Sequence, residues 1–187
     1  NDGTLAGWGN NDHGQATPPD NLQGIVSIAA GGNHSLTLLD DGTVVGWGNN
    51  DHGQITPPDN LHGVAFISAG QEHSLALLEN GTVAGWGNNH HGQATPPDNL
   101  QGVMAIAAGG DHSLALLNDG TVVGWGSNGS NQATGPGGPA FGPVAFEGEP
   151  LGGVVAIVAG EDHSLALKAD GTVVGWGYNR RGQATGV

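Results

Sequence analysis

Residues 103–126 read VMAIAAGGDHSLALLNDGTVVGWG, and this stretch decides the fold. It consists of three short runs rich in Val, Ala, Leu and Thr, and none of them has the 3.6-residue period of an amphipathic helix. The turn Asp119-Gly120 lies between two of the runs. It predicts a tight β-hairpin, because glycine tolerates the positive φ that a two-residue turn requires. The stretch therefore predicts three short strands at 103–109, 112–117 and 121–126.

The same unit recurs along the chain with a period of 39 residues, and the last interval is 12 residues longer. Internal repeats of this length are typical of solenoids and propellers. Tryptophan ends the third run of each unit, at Trp8, Trp47, Trp86, Trp125 and Trp176. We interpret the chain as a single array with a partial first repeat at 1–24, repeats at 25–63, 64–102 and 103–134, an insertion loop at 135–153 and a last repeat at 154–187.

The predicted strands are apolar on both faces, as Val44, Val45 and Trp47 illustrate. Such a strand fits a sheet that is stacked between two other sheets, so that neighbouring repeats supply the core. The paired prolines of connectors such as 57–63 exclude a central strand there, because they remove backbone donors. We predict an all-β, propeller-type array of about four to five antiparallel blades.

The repeated unit resembles a known family. Its consensus is Ile-Ala-Ala-Gly-x-x-His-Ser-Leu-Ala-Leu-Leu-x-Asp-Gly-Thr-Val-x-Gly-Trp-Gly-x-Asn-x-x-Gly-Gln, which is similar to the regulator-of-chromosome-condensation repeat. The short unit is especially similar to bacterial members, among them the propeller-type β-lactamase inhibitory protein. The resemblance implies β-propeller blades and protein–protein recognition through loops on one face. It does not extend to the aromatic loops of that inhibitor, since the corresponding turns here, 10–13 and 49–52, contain no aromatic residue.

Composition narrows the classes of partner. The chain has 3 Lys and Arg against 17 Asp and Glu, which gives a formal net charge of −14. Such a surface repels phosphate backbones and anionic membranes, so we expect no nucleic acid partner and no membrane insertion. There is no Cys, hence no disulfide. From the lack of Cys, the low Lys count and the acidic, turn-rich character we expect an extracellular or cell-surface location.

The numbers of first, second and third strands in the chain are unequal. The first Gly-Trp-Gly run has no upstream partner strands in this sequence. The array is therefore a fragment of a longer chain, a small ring of four or five blades, or an array completed by another copy. An unpaired edge strand templates pairing with another chain, so the third alternative makes this run a donated strand. Its residues are Thr4, Leu5, Ala6, Gly7, Trp8 and Gly9.

The nine histidines fall into two classes. One imidazole per repeat precedes Ser, in register, and we interpret these rings as structural bridges between strands: His34, His73, His112 and His163. We interpret the later tryptophans, Trp47, Trp86, Trp125 and Trp176, as blade-packing residues. The other class lies in Asn-rich turns. Carboxylates and imidazoles are ligands for Ca²⁺ and Zn²⁺, so a metal-binding rim is a hypothesis for Asp12, His13, Asp51, His52, His90 and His91.

The insertion departs from the repeat and carries apolar residues among Gly and Pro, which makes it a candidate contact segment: Phe141, Val144, Phe146 and Leu151. No nucleophile–base pattern and no phosphate-binding loop occurs, which predicts that the chain is not an enzyme and needs no cofactor. We expect a protein-interaction or self-assembling module that forms oligomers or filaments through its N-terminal strand. The alternative is a secreted inhibitor or ligand-binding propeller that acts through one rim, with or without a metal.

Overall fold

The computed structural model of the protein describes residues 4–185, which contain fifteen strands and no helix. The strands are β1 (Ile25–Ala30), β2 (His34–Leu39), β3 (Val44–Gly48), β4 (Val64–Ala69), β5 (His73–Leu78), β6 (Val83–Gly87), β7 (Val103–Ala108), β8 (His112–Leu117), β9 (Val122–Gly126), β10 (Phe141–Pro143), β11 (Ala145–Phe146), β12 (Glu149–Pro150), β13 (Val154–Ala159), β14 (His163–Lys168) and β15 (Val173–Gly177).

Thirteen of these strands form four antiparallel sheets that follow one another along the chain, which confirms the predicted all-β array of blades. Blade 1 is β1-β2-β3, blade 2 is β4-β5-β6, blade 3 is β7-β8-β9 with β10, and blade 4 is β13-β14-β15. The Asp-Gly and Asn-Gly turns join the second and third strands, with Gly42 at φ 84° and Gly120 at φ 81°. Glycine is required at these positions because an L side chain is strained at positive φ.

The insertion is more regular than expected. Its first part forms β10, which pairs antiparallel with β9 and adds a fourth, outer strand to blade 3. Its second part forms a small hairpin of β11 and β12. The other three blades have three strands each within residues 4–185, so the outer edge of their Gly-Trp-Gly strand is not covered in the same way.

The hydrophobic core lies between blades rather than within them. Between blades 1 and 2, for example, Leu36, Leu38 and Val44 of one sheet pack against Ile67 and Trp86 of the next. Equivalent clusters join blade 2 to blade 3 and blade 3 to blade 4. Each blade therefore presents a Leu-Leu-Val face to its successor and an Ile-Trp face to its predecessor.

The inner strands lie side by side at the centre of the array, where only glycine fits. A Cβ on Gly70 would lie 2.5 Å from the carbonyl oxygen of Gly109 and 2.4 Å from Cε1 of His73. The backbones also bond directly across blades, as in the 3.1 Å contact from Gln71 N to Gly109 O. Together these segments line a central trough of about 410 Å³.

Within residues 4–185 the apolar faces at the two ends of the array are not covered by another blade. Packing runs from each blade to the next, and within residues 4–185 the strands of blades 1 and 4 make no comparable contact with each other. In blade 3, Leu116 is 4% exposed and Val122 is fully buried, whereas their counterparts in blade 4, Leu167 and Val173, are 39% and 41% exposed. Ile28 of blade 1 is exposed in the same sense, although Ile67 and Ile157 are buried.

This difference predicts unequal costs for one substitution at two equivalent sites. Leu116→Ala should lower the free energy of unfolding by about 2–5 kcal/mol, because it leaves a cavity between blades 3 and 4. Leu167→Ala, the matched control, should change it by less than about 0.5 kcal/mol. Urea denaturation of dilute protein measures both. Equal losses would contradict the placement of the core.

Candidate functional site

One hydrogen-bonded joint connects each blade to the next. Between blades 1 and 2 the carbonyl oxygen of Gln54 accepts from the Ser74 hydroxyl and from Nε1 of Trp86, both at 2.8 Å. Nε2 of His34 lies 2.9 Å from the same hydroxyl oxygen. Because the hydroxyl donates to Gln54, its oxygen accepts from the imidazole, which assigns the proton to Nε2.

The joint recurs with the repeat and is incomplete at both ends of the array. Ser113 and Trp125 both donate to the carbonyl of Gln93, and His73 contacts Ser113 at 2.9 Å. At blade 1, Ser35 and Trp47 donate to the carbonyl of Gln15, with no histidine from a preceding blade among the described residues. At blade 4, His112 contacts Ser164, which donates to Gln132.

The tryptophan of blade 4 departs from the pattern. Nε1 of Trp176 is buried without a hydrogen-bond partner among the described residues, whereas Trp47, Trp86 and Trp125 each donate to a glutamine carbonyl. The insertion lies between the two repeats here, and the Trp176 ring packs edge-on against Phe146, with the ring centroids 6.2 Å apart. At this joint an aromatic contact with the inserted hairpin therefore replaces the hydrogen bond of the tryptophan.

Burial keeps the joint histidines neutral. Loss of water around the imidazole lowers the pKa of His34 and of His112 from 6.5 to about 4. For His73 the same desolvation, with smaller repulsion from the His112 and His34 rings, lowers the pKa to about 3. Nδ1 of each of these three rings is buried without a partner among the described residues, so a second proton there would find no acceptor.

The placement of these rings refines the expectation of strand bridges. His34, His73 and His112 bond the serine of the next blade rather than backbone groups of adjacent strands. His163 is half-buried, and residues 4–185 contain no further blade to cover it. The glutamine carbonyl at the centre of each joint was not anticipated, although Gln, Ser and Trp recur at one spacing and signal a shared contact.

The proposed metal rim does not assemble into a site. Residues 4–185 hold no group of three or more His, Asp or Glu side chains placed to share an ion. The carboxylates of Asp12 and Asp51 instead accept bonds from the side chains of Asn10 and Asn49, at 2.9 and 2.8 Å. These contacts close the Asn-rich turns, so the polar residues of the turns serve local structure.

The histidines of the proposed metal rim contact other residues of the chain. Nδ1 of His13 lies 3.3 Å from Nδ2 of Asn49. Nε2 of His52 lies 3.3 Å from the Glu72 carboxylate, and its ring meets that of His90 edge-on at 6.0 Å. The backbone N–H of His91 donates to the side chain of Gln93. A role for these residues toward Ca²⁺ or Zn²⁺ stays a prediction.

The contact residues predicted in the insertion separate into two groups. Val144 and Leu151 are buried in the core between blades 3 and 4, and Phe146 is half-buried beside it. Val144 and Leu151 hold the insertion onto the blades and are covered in this fold, whereas Phe146 is only partly covered. Phe141 on β10 is exposed and remains a predicted contact residue.

The N-terminal run lies against blade 1 without joining a sheet. Residues 4–9 are not assigned to any strand, and Trp8 is 86% exposed. Between this run and blade 1 there is a groove of about 470 Å³, lined by Leu5, Trp8, Ile28 and Trp47. The groove occupies the place that the inner strands of a preceding blade take at the other joints.

The chain belongs to the family of regulator of chromosome condensation (RCC1) repeat proteins. The family model matches four times, at residues 25–54, 64–93, 104–132 and 154–183, which is more than half of the chain. No curated protein sequence matches the chain. Residues 4–185 contain no helix that is both long and apolar enough to span a membrane.

Solved structures of similar proteins are propellers of this class. Prp20p from Saccharomyces cerevisiae, whose structure was described with its binding to Gsp1p and histones, is 26% identical with a TM-score of 0.68, and the match covers 83% of this chain and 45% of that one. Human WBSCR16 is 27% identical with a TM-score of 0.72, covering 83% and 47%. The receptor kinase CR4 ectodomain of Physcomitrella patens is 25% identical with a TM-score of 0.69, covering 92% and 46%. The chain thus spans less than half the length of these structures.

The buried histidines predict a loss of stability in acid. Their pKa values are lower in the folded chain than the ordinary 6.5, so protons bind preferentially to the unfolded chain. The free energy of unfolding should therefore be unaffected by these rings above pH 6.5 and should fall as the pH drops toward 4, by up to about 3 kcal/mol per ring. Urea denaturation at a series of pH values measures this slope.

A variant separates proton linkage from packing. His73→Gln keeps a side-chain donor toward Ser113 but removes one titrating ring. It should flatten the dependence of the unfolding free energy on pH, whatever its effect on stability at pH 7.5. An unchanged slope would contradict a neutral, buried His73.

Proposed function

We propose that the chain is a non-catalytic protein-interaction module whose array is continued head to tail by a second copy. The observation that carries this proposal is the pair of complementary end faces. The Leu-Leu-Val face of blade 4 and the Ile-Trp face of blade 1 are the two halves of an interface that the chain already forms three times internally.

The exposed residues at the two ends match in kind. At one end Leu167, Val173 and Val158 lie open, and at the other end Ile28 lies open beside the groove with Trp8. Inside the array, leucine and valine at these positions pack against isoleucine and tryptophan. A contact between the two ends is heterologous, so it yields a ring if the rotation closes and a filament if it does not.

Strand donation by residues 4–9 has a precedent within the chain. β10 adds to the outer edge of the Gly-Trp-Gly strand β9, with Phe141 opposite Trp125. The equivalent edge of β15 has no such strand within the described residues. The run Thr4–Gly9 of a second copy is the segment that we propose for this edge, since strand addition supplies backbone bonds at an apolar joint.

Proteins are the partners that the family favours. Prp20p was described with its binding to two kinds of protein, and we carry over to this chain only that class of partner. The absence of catalysis and an extracellular or cell-surface location remain parts of the proposal that direct assays and localisation must test.

Self-assembly predicts a mass that rises with concentration. Size exclusion with light scattering should give the mass of one chain in dilute solution and multiples of it in concentrated solution. Leu167→Glu should hold the protein at the mass of one chain, because a carboxylate on the end face opposes its burial. Phe141→Glu, also at an exposed apolar residue but away from both ends, should assemble like the unaltered chain. A wild-type protein that keeps the mass of one chain throughout would overturn the proposal of self-assembly.

A mixing experiment tests the head-to-tail geometry. Ile28→Glu blocks the opposite end face, so each variant alone should keep the mass of one chain. Mixed in equal amounts, the two variants should form a dimer through their remaining intact faces. No dimer in the mixture would argue against a heterologous contact.

A further inference from the structure

Within residues 4–185 ten large apolar side chains are exposed, and six of them belong to the end faces, the N-terminal run and the insertion. The other four come one from each blade, and each is 55–60% exposed. They lie near the beginning of the inner strand of their blade. These four residues, here called the apolar arc, are Val26, Phe66, Met104 and Val155.

A β-bulge turns three of these side chains outward, and the fourth directly follows a bulge. The pairing of the first strand with the second skips one residue in each blade, between Ile25 and Ser27 in blade 1 and between Val103 and Ala105 in blade 3. Val26, Met104 and Val155 are the skipped residues, while in blade 2 the skipped residue is Ala65 and Phe66 follows it. A bulge re-aims a side chain away from the regular alternation.

The arc is continuous because the inner strands are neighbours. β1 lies against β4, β4 against β7, and β7 against β13. The bulges occur at one register position in all four blades, and Phe66 directly follows the bulge of blade 2, so the four arc residues lie at one end of the array. This end is opposite to the Asn-rich turns, which follow the far end of each third strand.

The same end carries a concentration of negative charge. The residue after each second strand bonds the glycine just before the bulge, as in the 2.7 Å contact from Asp40 N to Gly24 O. The turns between the second and third strands therefore lie beside the arc. They and the connectors contribute eight carboxylates, at Asp20, Asp40, Asp41, Asp59, Glu79, Asp98, Asp119 and Asp170, with Lys168 as the one Lys or Arg at this end.

The turn carboxylates are held in the charged form. Hydrogen bonds from Thr43, Thr121 and Thr172 lower the pKa of Asp41, Asp119 and Asp170 below the ordinary value. All three groups are exposed, so their field reaches solvent and weakens with added salt.

We propose that the apolar arc with its surrounding carboxylates is a docking surface for a basic, amphipathic segment of a partner protein. Leucine-like side chains of the segment cover the arc, and its Lys or Arg side chains face the turns. The charge selects against nucleic acid and acidic proteins, and exposed apolar patches rimmed by polar residues mark protein contacts. This inference rests on the proposed role as a protein-interaction module and supplies the chemistry of one partner.

The test uses a short fluorescent peptide of alternating leucine and lysine, titrated with the full chain and followed by anisotropy. The double variant F66S/M104S should weaken binding about tenfold or more, since two apolar contacts are lost from an exposed site. A peptide with serine in place of leucine, at equal charge, should bind at least about tenfold more weakly than the leucine peptide. Equal binding of the two peptides would overturn the proposal, because charge alone would then explain the attraction.

Matched charge variants locate the site. D41N/D119N removes two charges beside the arc and should weaken binding, while D12N/D51N removes two at the opposite end and should not. Asparagine already occupies this turn position in blade 2, where Asn80 accepts from the Thr82 N–H at 3.0 Å, so the turn tolerates the change. An equal effect of the two double variants would overturn the assignment.

Peptide binding to the arc does not depend on self-assembly of the chain. Leu167→Glu blocks the end face and changes none of the four arc residues, although its carboxylate lies near Val155. It should therefore bind the leucine–lysine peptide at least as tightly as the unaltered chain does, while keeping the mass of one chain. Loss of peptide binding in this variant would overturn the arc as a separate surface. Retained peptide binding by a protein that never assembles would leave the arc standing and remove only the proposed self-association.

Discussion

A three-stranded blade with two apolar faces cannot bury either face by itself, and the burial of one blade against the next is the interaction on which this structure depends. Each joint places the Leu-Leu-Val face of one sheet on the Ile-Trp face of its successor. Stability is therefore nearest-neighbour in kind, as in other repeat proteins. Within residues 4–185 the two outermost faces have no neighbouring blade, which leaves their leucine, valine and isoleucine residues exposed.

Polar contacts determine the alignment of one blade on the next, which apolar packing alone does not fix. Apolar packing is non-directional, whereas the His-Ser-Gln-Trp joint has one geometry and is satisfied in only one alignment of two blades. The buried imidazole couples this alignment to pH. At the centre, glycine permits the backbone approach that brings Gln71 and Gly109 into contact across blades. Packing, register and curvature thus come from three different sets of residues in the same 39-residue unit.

The exposed apolar side chains divide by cause. Those at the two ends of the array are exposed because residues 4–185 contain no further blade there. Those of the arc lie at the bulge of the inner strand in three blades and directly after it in blade 2. In our proposals the first group contacts a further copy of the repeat array, and the second contacts a different partner protein. The acidic turns beside the arc give that partner a sign of charge, which the apolar end faces do not.

Sequence by itself determined the repeat, the three strands of each unit, the turns and the family, because period and Asp-Gly turns are local signals. It also pointed to the histidines and tryptophans as structural, since one residue per repeat in register implies a repeated contact. Only the tertiary structure decided which partner each side chain meets. Val144 and Leu151 looked like contact residues but fill a core, because burial depends on the blades that the insertion covers. The bulge residues looked like ordinary strand positions, and the skipped register that exposes them arises only when two strands pair.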